Sequence, residues 1–195
     1  WTANQLRARR GLDPLPTDAI REVVTAGTRA ILAQALGAEH ADHEPTREEF
    51  LDTYQEGCTR SSALFPGIAD VLSRLDAAGI GWGIVTNKRE RFTAPLLRSL
   101  GLTTRSVCVV SGDSTPYMKP DPAPLHLAAT LCRTAPEACV YVGDAETDVQ
   151  AAQAAGMRSI VALFGYIPPL AAPTQWGADH AVEAPSDLLR ILGLS

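Results

Sequence analysis

Five short apolar runs, each ending in a turn of polar residues or glycine, constrain the fold of the second part of the chain more than any other feature. The runs cover residues 80–86, 106–111, 138–143, 159–163 and 181–183, and helical patterns at 67–78, 92–100, 122–132 and 147–155 alternate with them. This alternation is typical of a parallel sheet wound by helical crossovers. We therefore predict an α/β fold with a doubly wound parallel sheet.

The first sixty or so residues carry helical patterns and no strand-like run. A chain of 195 residues is long enough to bury one full core and to add a smaller unit. We predict a small all-helical domain at residues 1–63 and the α/β domain at residues 64–195.

Composition excludes several classes of protein. The net charge is −5 and the 17 Lys and Arg are scattered, so no nucleic acid partner is expected. No apolar run approaches the roughly 18 residues of a membrane helix, so no membrane partner is expected either. The four cysteines form no CxxC pair and are interpreted as reduced structural thiols. We expect a cytoplasmic protein that is a monomer or a weak homodimer.

Polar side chains follow three of the predicted strands. Thr86 and Asn87 end the first run, Lys119 lies in the loop after the second, and Asp144 and Asp148 follow the third. Ligands of open parallel sheets bind at the carboxyl ends of the strands, where these groups should meet. A hydroxyl and an ammonium suit phosphoryl oxygens, and carboxylates suit Mg²⁺. The pattern therefore predicts a magnesium-dependent site for phosphoryl transfer.

Each of these residues also has an ordinary structural interpretation. Thr86 and Asn87 are typical of a helix cap, and Lys119 of a solvated loop. Asp144 and Asp148 are carboxylates of the kind that a helix dipole favours at an N-terminus. All of these interpretations would have to hold together to remove the predicted site.

Thr86, Lys119 and the Gly143-Asp144-x-x-x-Asp148 pattern resemble motifs two, three and four of the haloacid dehalogenase superfamily, over essentially the whole chain. The segments LFPGIADVLSRLDAAGIGWGIVTNK and KPDPAPLHLAA resemble phosphoglycolate phosphatases with a helical cap. TAGTRAIL, YQEGC and GYIPPLAAPTQWGAD most resemble the N-acetylmuramic acid 6-phosphate phosphatases of peptidoglycan recycling.

The resemblance implies a Mg²⁺-dependent phosphomonoesterase that works through an aspartyl-phosphate and a small-molecule phosphate ester substrate. It implies that Thr86 binds a phosphoryl oxygen, with Asn87 supporting that loop and contacting substrate. Lys119 would stabilise the charge of the nucleophile and the phosphate. Asp144 would ligate Mg²⁺, and Asp148 would support the metal site through water.

The family's nucleophile belongs to a DxDGT motif on the central strand, and no DxD occurs before Val85. Trp1 is not an initiator Met, so we expect the native gene product to carry roughly 20 to 25 further residues at its start, including that strand. Without it, the sheet should have a gap between the strands ending at Thr86 and Gly143, with unpaired backbone on both sides. We predict that residues 1–195 alone fold poorly and do not hydrolyse phosphate esters.

Substrate choice should lie in the helical cap, where Gly27-Thr28-Arg29 breaks the helical pattern. Arg29 is a candidate partner for a substrate carboxylate, which phosphoglycolate and muramic acid phosphate both have. The alternative is a surface arginine that pairs with Glu22 or another acid.

Two other classes of protein remain open. One is a non-catalytic phosphate-binding or regulatory α/β module, because receiver-type domains also place Asp, Thr and Lys at strand ends. The helical unit ahead of the strands argues against it. The other is a truncated pseudoenzyme that acts only as a binding partner.

Overall fold

The computed structural model describes residues 1–194, and these form two compact units. One contains residues 1–61 and 166–171, and the other contains residues 62–165 and the chain from residue 172 onward. The division differs from the predicted boundary mainly in one segment. Residues 166–171, which the sequence assigned to the α/β domain, group with the helical residues.

The first unit is helical. Its elements are α1 (Thr2–Arg9), α2 (Thr17–Arg21), α3 (Gly27–Leu36) and α4 (Glu44–Gly57), with 3-10 turns at Val24–Ala26 and Ala38–His40. Leu6 and Leu32 are fully buried, and with Ala35 and Phe50 they form a core among α1, α3 and α4. A unit of this size therefore has its own apolar centre.

The second unit alternates strands and helices as predicted. Its elements are α5 (Ile68–Ala77), β1 (Ile84–Val85), α6 (Glu90–Ser99), β2 (Val109–Val110), α7 (Ala123–Leu131), β3 (Val140–Gly143), α8 (Glu146–Ala154), β4 (Arg158–Ala162), β5 (His180–Val182) and α9 (Pro185–Ile191). Short 3-10 turns lie at Pro136–Ala138 and Pro173–Gln175. The predicted α/β class is confirmed, although the strands are shorter than the apolar runs that contain them.

The strands form two parallel sheets. β1 pairs with β2, with Ile84 opposite Val109, and β4 lies between β3 and β5. Within residues 1–194 β1 has no backbone pairing with β3. Val142 of β3 is 39% exposed, whereas Val161 of β4 is fully buried. Among the described residues, β1 and β3 each have a paired strand on one side only.

Two apolar clusters support the strands. Leu125 and Ala129 of α7 pack with Ala151 of α8 and with Met157, and a second cluster joins α5 and α9 to β4 and β5. Val85 at the end of β1 packs against the first cluster, and the polar residues Thr86 and Asp144 follow the carboxyl ends of β1 and β3. No helix in the described part of the chain is long and apolar enough to span a membrane.

All four cysteines are free. The Sγ atoms of Cys108 and Cys132 lie 3.5 Å apart. Burial, together with the neighbouring Cys132, raises the pKa of Cys108 to about 12. A thiol with that pKa stays protonated at neutral pH, which supports the interpretation of Cys108 as a structural thiol.

Candidate active site

Thr86 and Asn87 begin the loop that leaves β1. The backbone N–H of Thr86 donates to the carbonyl of Val110 at 2.9 Å, which continues the pairing of β1 with β2. Its Oγ1 accepts a hydrogen bond from the backbone N–H of Lys88 at 3.1 Å. The hydroxyl is thus held at the carboxyl end of β1, and its own proton remains for an outside acceptor.

Asn87 clamps the loop that carries Lys119. Its Nδ2 donates to the backbone carbonyl of Lys119 at 2.9 Å, and its Oδ1 accepts from the backbone N–H of the same residue at 3.0 Å. A side-chain amide that pairs with both backbone groups of one residue fixes the distance between two loops 32 residues apart. Asn87 therefore joins the loop after β1 to the loop that carries Lys119.

Asn87→Ala should release this clamp. We expect the backbone amide of Lys119 to exchange with deuterium at least tenfold faster, and stability to fall by about 1 kcal/mol, because two partly exposed hydrogen bonds are lost. Hydrogen exchange read by mass spectrometry tests this. Asn4→Ala is a matched control, since Asn4 makes the same pair of bonds to Leu15 at 2.9 Å. It should speed exchange at Leu15 only, and equal exchange at Lys119 in both variants would contradict the clamp.

The ammonium of Lys119 is the centre of the site. Its Nζ donates to Asp148 Oδ1 and to the Tyr141 hydroxyl, both at 2.7 Å, and to the backbone carbonyl of Val85 at 3.2 Å. The side chains of Lys119 and Asp148 are each only 9% exposed. All three protons of the ammonium have acceptors, so Lys119 is an ordered, buried cation and not the solvated loop lysine of the alternative interpretation.

Asp148 is fully engaged by donors. Its Oδ1 accepts from Lys119 and lies 3.2 Å from the Tyr141 hydroxyl, and its Oδ2 accepts from the backbone N–H groups of Asp144 and Ala145 at 3.2 and 3.1 Å. The Oδ2 bonds cap the first turn of α8. With both oxygens occupied, Asp148 orders the turn that presents Asp144, and its predicted support of a metal would be indirect.

Tyr141 belongs to this network, and the sequence analysis did not single it out. It lies in the middle of β3, and its hydroxyl is 3.2 Å from the carbonyl of Val85. Burial, and then the charge of Asp148, holds the pKa of Tyr141 well above its usual range, so the hydroxyl stays protonated. The available signal was a tyrosine within an otherwise aliphatic strand, because a buried tyrosine hydroxyl needs a polar partner.

Glycines allow the close approach of three site residues. A Cβ on Gly112 would lie 2.2 Å from the backbone O of Asn87, and one on Gly143 would lie 2.4 Å from Asp148 Cβ. One on Gly165 would lie 2.4 Å from the Cβ of Asp144 and 2.5 Å from its Oδ2. None of the three has a positive φ, so space, and not backbone conformation, requires glycine there.

Arg29 lies in the first unit, at the start of α3, and forms an ion pair with Asp42 at 2.8 Å. Both side chains are more than 70% exposed. This matches the alternative considered from the sequence, a surface arginine paired with an acid, although the acid is Asp42 and not Glu22. An exposed pair of this kind contributes only about 0 to 1 kcal/mol and exchanges partners readily.

The donor set fits Mg²⁺ in part. Asp144 supplies one carboxylate directly after β3, and its backbone N–H donates to Asp148. Residues 1–194 contain no group of three His, Cys, Asp or Glu side chains suited to a metal. Mg²⁺ usually binds through one or two carboxylates and keeps several waters, so a single aspartate at the rim is compatible with it.

Comparison with known proteins places these features in one family. The profile of the haloacid dehalogenase-like hydrolases matches residues 2–162. An N-acetylmuramic acid 6-phosphate phosphatase of Pseudomonas aeruginosa is 39% identical over 189 residues, which cover 96% of this chain and 84% of that protein. A phosphoglycolate phosphatase of Xanthomonas campestris is 41% identical over 188 residues, with coverage of 96% and 85%.

Solved structures agree on the fold. The crystal structure of a predicted phosphoglycolate phosphatase from Haemophilus somnus superposes with a TM-score of 0.84 at 23% identity, and covers 98% of this chain and 88% of that one. The likeness extends over the helical and the α/β residues together.

Proposed function

Since the chain belongs to the haloacid dehalogenase-like hydrolases, we propose that this phosphatase uses Mg²⁺ to hydrolyse the phosphate monoester of a small carboxylate-bearing metabolite. The substrate classes are N-acetylmuramic acid 6-phosphate and 2-phosphoglycolate. The observation that carries the proposal is the buried ammonium of Lys119, fixed by Asp148 and Tyr141 at the rim of the strands.

A phosphoryl oxygen is expected to replace one of the three hydrogen-bond acceptors of Lys119. Its bonds to Asp148 and Tyr141 are 2.7 Å long, whereas the bond to the Val85 carbonyl is 3.2 Å. A phosphoryl oxygen replaces that carbonyl with a stronger, charge-assisted acceptor. The Thr86 hydroxyl, held by the N–H of Lys88, donates its proton to a second phosphoryl oxygen. Together they hold the anion at the ends of β1 and β3.

Asp144 would hold Mg²⁺, with Asp148 acting on it through the backbone of the α8 turn. Bound Mg²⁺ would neutralise charge on the phosphoryl oxygens. The aspartyl-phosphate route implied by the resemblance needs an aspartate nucleophile in a DxDGT motif, which residues 1–195 do not contain. The proposal therefore places turnover in a polypeptide that also supplies that motif.

Arg29 is proposed to release Asp42 and to bind the substrate carboxylate in its place. The pair is exposed, so exchange costs little. The relatives named for muramic acid phosphate and for phosphoglycolate favour a carboxylate-bearing substrate. A role in peptidoglycan recycling follows for the first of these substrates, in a cytoplasmic monomer or weak homodimer.

The test compares N-acetylmuramic acid 6-phosphate with N-acetylglucosamine 6-phosphate, which lacks the lactyl group that carries the carboxylate. A second acid, 2-phosphoglycolate, is assayed with them. The product of the complete gene should release phosphate from the two acids when Mg²⁺ is present and not when it is absent. Residues 1–195 alone should release no phosphate. Arg29→Ala should lower kcat/KM for the two acids by about tenfold to a hundredfold and leave the neutral sugar unchanged. Arg47→Ala, which breaks another exposed pair in the same unit, is the control.

Two outcomes would contradict the proposal. Equal losses for the acid and neutral sugars with Arg29→Ala would remove the carboxylate role. Absence of Mg²⁺-dependent phosphate release from every ester, with the complete gene product, would favour the non-catalytic phosphate-binding module instead.

A further inference from the structure

Lys119 has two short acceptors, Asp148 and Tyr141. Asp148 is the charged partner, and the Tyr141 hydroxyl lies at the same distance of 2.7 Å. The Lys119 ammonium also lies 5.2 Å from the centroid of the Tyr141 ring. Tyr141 therefore touches the ammonium with its hydroxyl and lies near it with its ring.

Resting on the proposed function, we infer that Tyr141 is a positioning residue for Lys119. Its hydroxyl accepts from Lys119 and is within reach of two acceptors of its own, Asp148 Oδ1 and the Val85 carbonyl, both at 3.2 Å. A neutral hydroxyl with one proton donates to only one of them at a time. It thus links the lysine either to the carboxylate or to the end of β1, and holds Nζ close to both.

The position of Tyr141 in the fold makes this geometry rigid. Residue 141 pairs with Ser159 of β4, and its ring packs on the cluster formed by α7 and α8. The backbone of residue 141 is fixed by its pairing with β4, and the side chain is fixed by packing against apolar residues of α7 and α8. A flexible lysine stem gains order when both of its short acceptors stand on a strand and on the first turn of a helix.

The chain offers an internal reference for testing this, because it has only two lysines, Lys88 and Lys119. Amine acetylation read by mass spectrometry gives the reactivity of Lys119 relative to half-buried Lys88 in the same molecule. Tyr141→Phe keeps the ring and removes one acceptor of the Lys119 ammonium. The loss removes one of the two short contacts that hold the amine, so the side chain becomes more mobile and more accessible to the reagent.

We expect Tyr141→Phe to raise the ratio of Lys119 to Lys88 acetylation at least fivefold, while Tyr117→Phe, at an exposed loop tyrosine, leaves it unchanged. An unchanged ratio in folded Tyr141→Phe overturns the inference. Urea unfolding of Tyr141→Phe, Lys119→Met and the double variant gives a second measurement. The Tyr141→Phe shift should shrink in the Lys119→Met background, and additive shifts overturn the inference as well.

A phosphatase assay separates this inference from the proposed function. In the product of the complete gene, Tyr141→Phe should lower kcat by about tenfold or more, with a smaller change in KM. If the acetylation ratio rises while hydrolysis is unchanged, Tyr141 orders Lys119, but Lys119 does not have the proposed role in hydrolysis.

Discussion

Replacing Lys119 by methionine is expected to lower the free energy of unfolding by about 3 to 5 kcal/mol. The substitution keeps an apolar stem of similar length and removes the ammonium that pairs with Asp148 at 2.7 Å, where both side chains are 9% exposed. Removing one member of a buried pair is costly because the remaining charge is left without compensation. Urea unfolding measures the loss, and phosphate release by the complete gene product should fall to background.

The cost should depend on burial and on Asp148. Arg47→Met breaks the exposed pair with Glu44 and should change stability by less than about 0.5 kcal/mol. Adding Asp148→Asn to Lys119→Met should restore part of the stability, since the amide oxygen still caps α8 and carries no charge. Similar losses for Lys119→Met and Arg47→Met would show that the buried pair has no special weight.

Gly165→Ala should disable the proposed metal site while leaving the rest of the unit folded. The new Cβ would lie 2.4 Å from the Cβ of Asp144, which real Cβ atoms do not tolerate. Gly165 cannot easily retreat, because its N–H donates to Ala162 and the N–H of Leu163 donates to Val182 of β5. Asp144 must therefore move. A displacement near 1 Å can cost about a hundredfold in rate, so we expect kcat/KM to fall by about that factor.

The dependence on Mg²⁺ separates a displaced ligand from a general loss of fold. The concentration of Mg²⁺ that gives half-maximal activity should rise with Gly165→Ala, measured in the complete gene product. Gly81→Ala is the control, since its Cβ meets only the exposed side chain of Val107 at 3.2 Å. An unchanged Mg²⁺ requirement in Gly165→Ala would mean that Asp144 is not held in place by this glycine.

Periodicity and turn residues were enough to predict the order of strands and helices. The predicted carboxyl end of the strand that ends at Gly143 agrees with the structure. The predicted ends of helices α5 to α8 agree within one or two residues. α9 was not predicted, since its seven residues follow the last strand without a longer helical pattern. Strand lengths were overestimated because an apolar run such as residues 80–86 is longer than the stretch that forms the strand, which is Ile84–Val85 with flanking backbone hydrogen bonds at Trp82 and Thr86.

The sequence predicts the candidate site residues that belong to a motif. It misses the residues whose role depends on tertiary contacts. Lys119 and Asp148, which the structure brings into contact, are candidates from the sequence because they lie in segments that follow the apolar runs of predicted strands. Tyr141 and Gly165 were missed for different reasons. Tyr141 looks like a packing residue in a strand, and the need for glycine at residue 165 arises only when the turn after β4 meets Asp144. Steric roles of this kind depend on approach distances that spacing alone does not encode.

The chain passes from one unit to the other three times, after residues 61, 165 and 171. A chimera that imports the helical unit from a relative must therefore transplant two stretches, residues 1–61 and residues 166–171. If the first stretch alone were transferred, residues 166–171 of the host chain would be combined with helices from another protein. Gly165, beside Asp144, is also the last residue before one of these junctions, so a graft of the second stretch has its splice point next to the proposed metal ligand.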